Sequence, residues 1–146
     1  MIEADFFGKG SAVMPRMQER YHERHHGLSM FGKDLVRRCG AHCELCNSQG
    51  VSLKVFEVPP MGAEADFGHC VMICESCKRQ ILHPKKRDPH HWRCLSAAVW
   101  SPIPAARVLA IAMLDTFIGR EDWAMLLHEQ LYLEPEEQAW VDAIDF

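Results

Sequence analysis

The chain has 146 residues, 48% hydrophobic and 25% charged, with a formal net charge of −4. That suits one compact domain, or a small domain with a helical extension, and no repeats or low-complexity tracts stand out. The charge is uneven: residues 1–95 carry +3 and residues 96–146 carry −7. This asymmetry is compatible with a nucleic-acid-facing surface but does not require one.

Seven cysteines are present, four of them in two C-x-x-C pairs. Residues 1–27 are charged and lack the apolar core of a signal peptide. Metal-bound thiolates in a reducing cytoplasm therefore fit better than a secreted disulfide scaffold. The most apolar run, "VLAIAML" at 108–114, lies between Arg107 and Asp115. It is much shorter than the roughly 20 residues that cross a bilayer. The expectation is a soluble, cytoplasmic protein with no membrane partner.

In chain order, residues 1–27 read as a flexible tail, rich in His, Arg and Glu and poor in apolar anchors. Its "YHERHH" run (His22, His25, His26) has no packed shell and would bind metal only weakly. Ser29 can cap a short helix carrying Phe31 and Leu35, with Arg37 and Arg38 in the last turn and Gly40 after it. After the first cysteine pair, "VSLKVFE" alternates as a half-buried strand. "PPMGAEADFG" is its loop, and "HCVMIC" returns as the second strand. "CESCKRQIL" opens a helix that stops at His83-Pro84. Past the basic linker "HPKKRDPH" (83–90) the period becomes helical. "HWRCLSAAVW", "PAARVLAIAMLDTFIG", "EDWAMLLHEQLY" and "PEEQAWVDA" each read as helix.

The spacing Cys43-x-x-Cys46, 27 residues, Cys74-x-x-Cys77 is the strongest chemical signal. Two intervening residues let one tight turn aim both thiolates at one ion, and the second pair completes a tetrahedron. Zinc fits best; redox or disulfide pairs are the competing reading, with iron a distant one. Four thiolates leave no open position for a reacting water, so the expected zinc is structural. The segment from about 40 to 82 should then unfold without it. Cys39 reads as a thiol at a helix end, Cys70 and Cys94 as small core residues. His42 and His69 are neighbours that could replace a cysteine ligand.

These residues carry two resemblances. In order, "CELC", "LKVFEVPP", "VMICESCKRQI", "HHWRCLSAAVWS", "PAARVLAIAML" and "WAMLLHEQLYLEPEEQAW" resemble the proteobacterial zinc-ribbon domain of the PhnA-like proteins, named after alkylphosphonate-utilisation operons. The match covers roughly residues 35–140. The resemblance implies the four cysteines as zinc ligands and carries no reaction with it. Members often have a further β-rich domain after the helices, for which this chain shows no match, and Met30 is one candidate for the native start. More distantly, the chain resembles HNH-type nucleases of treble-clef plan. Leu53 and Val55 keep that strand, but the Asp-His pair becomes Phe56-Glu57, and the Asn after the last cysteine becomes Lys78. That likeness implies the fold and not the activity, because phenylalanine cannot orient a base and a carboxylate is a weaker base than imidazole.

Three further sets have a functional and a plain reading. By period two, Glu57 shares a face with Val51, Leu53 and Val55. A buried carboxylate there is either a second-metal ligand or general base, or else an ion pair with Arg37, Arg38 or Arg79 or an acceptor for backbone N–H groups. His83, His90 and His91 could join Glu57 around a divalent metal. Alternatively, His91 and Trp92 form a packed hinge. The cations Arg37, Arg38, Lys78, Arg79, Lys85, Lys86, Arg87 and Arg93 could line a phosphate-binding stripe with Trp92 stacking on bases, or form a solvated face.

The expected architecture is α+β. A four-cysteine treble-clef or zinc-ribbon module (short β-hairpin plus helix) at 28–90 precedes a packed helical module of three to four helices at 91–146. The expected role is a non-catalytic, zinc-stabilised binding module with nucleic acid or a protein as partner. The alternative is a metal-dependent hydrolase or nuclease of degenerate HNH type using Glu57 and the histidines; no small-molecule substrate is identifiable.

Overall fold

The structure, a computed structural model, describes the backbone of residues 13–146 and the side chains of Arg24 and residues 26–146. Residues 1–12 of the expected tail, and the side chains of His22 and His25, lie outside the described residues.

Helix α1 spans Val13–Cys39. A start at Ser29, with residues 13–27 in a tail, is therefore corrected: Ser29 is an interior helical residue. Nothing in 16–28 breaks a helix, and Pro15 sits in the first turn, where proline is tolerated. The helix ends as expected, with Arg37 and Arg38 in its last turn and Gly40 in left-handed backbone at φ +63°.

Strands β1 (Leu53–Glu57) and β2 (Cys70–Cys74) form one antiparallel hairpin. Its register pairs Leu53 with Cys74 at one end and Glu57 with Cys70 at the other. Opposed residues of an antiparallel pair share a face. Leu53, Val55 and Met72 thus meet Leu28, Phe31 and Leu35 of α1, and the buried Cys70 belongs to the same small cluster. Phe56, Val58, Val71 and Ile73 face the larger core. The loop joining the strands comes close under α1: a Cβ on Gly27 would sit 3.2 Å from that of Ala65.

Helix α2 (Glu75–Leu82) begins directly after β2, with Cys74 as its N-cap. A 3-10 turn at Pro84–Lys86 follows, and a second at His91–Cys94 leads into the short α3 (Leu95–Ala98). One helix expected over 91–100 is thus split into a 3-10 turn and one α-turn. Helix α4 (Pro104–Asp115) is buried from Ala105 through Leu114 except at Arg107. It packs against the hairpin, α3, α5 (Asp122–Glu129) and α6 (Pro135–Asp142). A reciprocal Glu134–Glu137 cap starts α6, and Arg107 pairs with Glu137 at 3.0 Å.

The molecule is α+β: a two-stranded hairpin with several helices and four clustered cysteines, consistent with a zinc-ribbon module. The apolar core runs without a break from Cys43, Leu45 and Ile73 through Trp92 to α4 and Phe117. No helix among the described residues is long and apolar enough to cross a membrane.

Candidate metal centre

The knuckle Cys43–Cys46 closes with Asn47 in left-handed backbone at φ 64° and the Asn47 N–H on the Cys43 carbonyl at 2.9 Å. This turn aims the amides of Leu45 and Cys46 at Cys43 Sγ, both at 3.4 Å. The start of α2 repeats the device, with the Cys77 amide 3.4 Å from Cys74 Sγ. Two independent N–H-lined sulfur turns thus face each other. Such donors favour thiolate, as does the N-terminus of α2.

The four sulfurs of Cys43, Cys46, Cys74 and Cys77 all lie within 4.8 Å of one another and could hold a metal ion. Cys43 and Cys77 are 3.8 Å apart, Cys46 and Cys74 3.6 Å. A tetrahedron with metal–sulfur bonds of about 2.3 Å has edges of roughly 3.8 Å. The donor set and its spacing fit a tetrathiolate ion.

The electrostatics point the same way. Hydrogen bonds from Cys43 first, and then from Cys77, pull the Cys46 thiol far below its ordinary range. The sulfur contact with Cys46 pushes Cys43 up to about 11. Contact with Cys43 and Cys46, and then burial, drive Cys77 higher still. One negative charge forms and suppresses the next. A cation at the centre removes that competition and lets all four ionise.

Two neighbours complete the surroundings. Ser48 Oγ lies 3.0 Å from Cys46 Sγ, and His91 Nε2 lies 3.3 Å from Cys77 Sγ. His91 stands edge-on to Trp92, whose fully buried indole donates to Gln80 Oε1 at 2.9 Å. The same oxygen accepts the Asp88 amide at 2.8 Å. The sulfur cluster is therefore wired to the helical core through His91, Trp92 and Gln80. Ser48 was not anticipated, although its place two residues after Cys46 is a usable signal. The sequence singles out His91 for a second metal or as a packed hinge with Trp92, and its place against Trp92 fits the hinge. Its contact with Cys77, 14 residues away, carries no local spacing signal.

The neighbouring histidines are occupied elsewhere. His42 meets Gln49 at 3.0 Å; His69 meets the Val58 carbonyl at 2.9 Å and lies against Trp140. Cys39 is half-buried at the end of α1 and contacts the Val36 carbonyl. Cys70 is fully buried and pushed up to about 11, by burial first and then by Glu57. Cys94 is half-buried and pushed up to about 12 by burial and the nearby thiolates. Both raised thiols are poor nucleophiles.

Glu57 is buried, 6% exposed, as its strand position implied. Its partner, however, is Arg24 of α1 and not Arg37, Arg38 or Arg79. Arg24 also donates to the Gly62 carbonyl, tying α1 to the hairpin loop. The second metal site is corrected on geometry. Glu57 sits at the opposite hairpin end from Cys74, roughly 13 Å along the strand at about 3.3 Å per residue. His91 is at the sulfur end, on Cys77, while His83 and His90 are exposed. Among the described residues, the only group of three or more His, Cys, Asp or Glu placed to share an ion is the four cysteines.

The eight cations divide. Arg37 pairs with Asp34 at 3.0 Å. Arg38 makes two bonds to Glu44, at 3.0 and 2.7 Å, and one to the Cys70 carbonyl. Arg87 is buried and donates to the carbonyls of Gln80 and Ile81 at 3.0 and 2.7 Å. Arg93 lies over Trp123. Lys78, Arg79, Lys85 and Lys86 make no ion pair among the described residues. Trp92 is fully buried, so it cannot stack on a base.

Comparison with protein-family models, curated proteins and solved structures gave no match.

Proposed function

We propose that this chain is a non-catalytic binding module whose hairpin and first short helix are organised by one structural zinc ion on Cys43, Cys46, Cys74 and Cys77. The observation that carries this is the clustering of the four sulfurs within 4.8 Å of one another, with two pairs at 3.8 and 3.6 Å. Four thiolates fill zinc's usual coordination, so the ion supplies charge neutralisation and a cross-link, not an activated water. The ion pair between Arg24 and Glu57 Oε1 supports the same view, because it gives the buried carboxylate of the hairpin a structural partner, although its Oε2 is buried without one. The PhnA-like and degenerate treble-clef likeness is part of this proposal and rests on the ordered words quoted above. A binding role, with nucleic acid or protein as partner, is supported by the cations Lys78, Arg79, Lys85 and Lys86, which make no ion pair among the described residues.

The test is elemental analysis with chelation of the purified chain. One zinc per chain is expected, with loss of hairpin structure when a strong chelator removes it. A folded chain without metal would sink the proposal.

A further inference from the structure

We infer that Lys78, Arg79, Lys85 and Lys86 form a preorganised face for the phosphate backbone of a nucleic acid. This rests on the binding-module reading above and names its partner. Residues 76–87 contain no acidic side chain in a chain whose net charge is −4. Arg79, Lys85 and Lys86 are exposed and Lys78 half-buried, and none finds an ion-pair partner among the described residues. Glu75, the one acid of α2, makes no ion pair with them either.

The buried side of α2 is Cys77, Gln80 and Ile81. At 100° per residue, Lys78, Arg79 and Leu82 fall on the other side. The following turn is clamped to the helix end. The buried Arg87 guanidinium holds the last-turn carbonyls of Gln80 and Ile81, and the Lys86 amide donates to the His83 carbonyl at 2.8 Å. Lys85 and Lys86 are therefore presented by a fixed turn, and Lys78 and Arg79 by a helix that starts at the metal centre. Little backbone freedom therefore remains to be lost on binding.

The chemistry of the face selects the partner. A protein interface needs an apolar or aromatic centre, and this face offers only Leu82. No aromatic among these residues offers a stacking platform, and three of the four cations are lysines, compact point charges that suit phosphate, with Arg79 the one guanidinium among them. It therefore reads backbone charge and not sequence. Arg87 belongs to the fold and is a positioning residue, not a contact.

The experiment uses the full zinc-loaded chain, with metal content measured on the same sample. Fluorescence anisotropy follows binding to a random-sequence DNA duplex, the matching RNA duplex and the single strand, over a sodium chloride series. Four neutralised phosphates give a slope of log K against log salt of about −3.6 on duplex DNA, at about −0.9 per phosphate. That is a loss on the order of 100-fold between 50 and 200 mM salt. Lys85→Ala with Lys86→Ala should halve the slope, and alanine at all four positions should remove binding with zinc content intact. Lys33→Ala with Lys54→Ala, exposed lysines elsewhere, should change affinity less than twofold.

Zinc-loaded wild type that ignores all three probes overturns the inference and leaves the metal proposal standing. So does a fourfold alanine variant that binds like wild type, or a preference above tenfold between unrelated duplex sequences. A folded, metal-free chain counts against the metal proposal instead, and its binding is then read by the same slope.

Discussion

The two ends of the β-hairpin are closed by different chemistry. At the Leu53–Cys74 end, four sulfurs from two local turns converge, and their mutual electrostatics favour a cation between them. At the Glu57–Cys70 end, a buried carboxylate is held by Arg24, a residue 33 positions away on another element. The first closure takes all four sulfurs from outside α1, although Arg38 at the end of that helix pairs with Glu44 inside the first cysteine turn, whereas the second takes its cation from α1 itself. The sulfur end thus draws on two local turns, and the carboxylate end on a long-range contact with the helix that covers the strands.

The largest effect should come from the sulfur end. Cys77→Ser removes one ligand, leaves a buried hydroxyl and starts α2 without its anchor. Zinc content should fall from one per chain towards zero. Amide protection should collapse at Val71 and Ile73 of β2, at a cost comparable with a domain's whole stability, about 5–15 kcal/mol. Retained metal with protected β2 amides would mean that the core alone holds the hairpin, and the contrast between its ends would vanish.

Arg24→Ala breaks the other closure. It strands a carboxylate whose side chain is 3% exposed, while Arg24 itself is 22% exposed. A fully buried pair costs 3–5 kcal/mol to break in this way; partial solvent access here lowers that to about 2 kcal/mol. Glu57→Gln should cost less, because a neutral amide needs no counter-charge. Urea unfolding reads both, and zinc content should stay at one per chain. Metal loss in Arg24→Ala would show that the two ends are coupled through α1.

That contrast also separates what the sequence made legible from what it hid. Two-residue cysteine spacing is local, so Cys43, Cys46, Cys74 and Cys77 were identifiable without a fold. Period two placed Glu57 on the inward face of β1. Its partner was hidden because Arg24 lies in a stretch poor in apolar residues, where helix formation leaves little pattern. The cations were hidden for a related reason. Lys85, Lys86 and Arg87 are consecutive and look alike, yet the turn after Pro84 directs only Arg87 into the carbonyls at the end of α2. Trp92 followed the same logic: a large aromatic beside a basic run looks like a stacking platform until Gln80 is seen to satisfy its N–H inside the core.

His91 sharpens the sulfur end. Its Nε2 meets Cys77 Sγ, so a donated N–H···S bond would spread charge off a tetrathiolate site. His91→Phe keeps a ring beside Trp92 and removes the donor. Outer partners of metal ligands are typically worth 10–100-fold in affinity, and a single contact from a half-buried histidine should sit near the low end, about tenfold. Chelator competition measures it, and cobalt(II) substitution should show a shifted thiolate charge-transfer band. His91→Gln should restore much of both. An unchanged release constant in His91→Phe would reduce His91 to a packing residue.

The smallest effect should come from His83→Ala combined with His90→Ala. Both side chains are exposed, and neither nears Glu57 or the sulfurs closely enough to share an ion with them. His83 contributes its backbone as the C-cap of α2, and His90 its amide to Asp88 at 3.0 Å. Alanine keeps both backbone roles, so stability should move by less than about 0.5 kcal/mol, the range of ordinary surface substitutions. Zinc should remain at one per chain in wild type and variant, and added manganese or magnesium should bind neither. A second divalent ion in wild type that disappears in the variant would give the linker a metal chemistry of its own, apart from the hairpin's sulfur end.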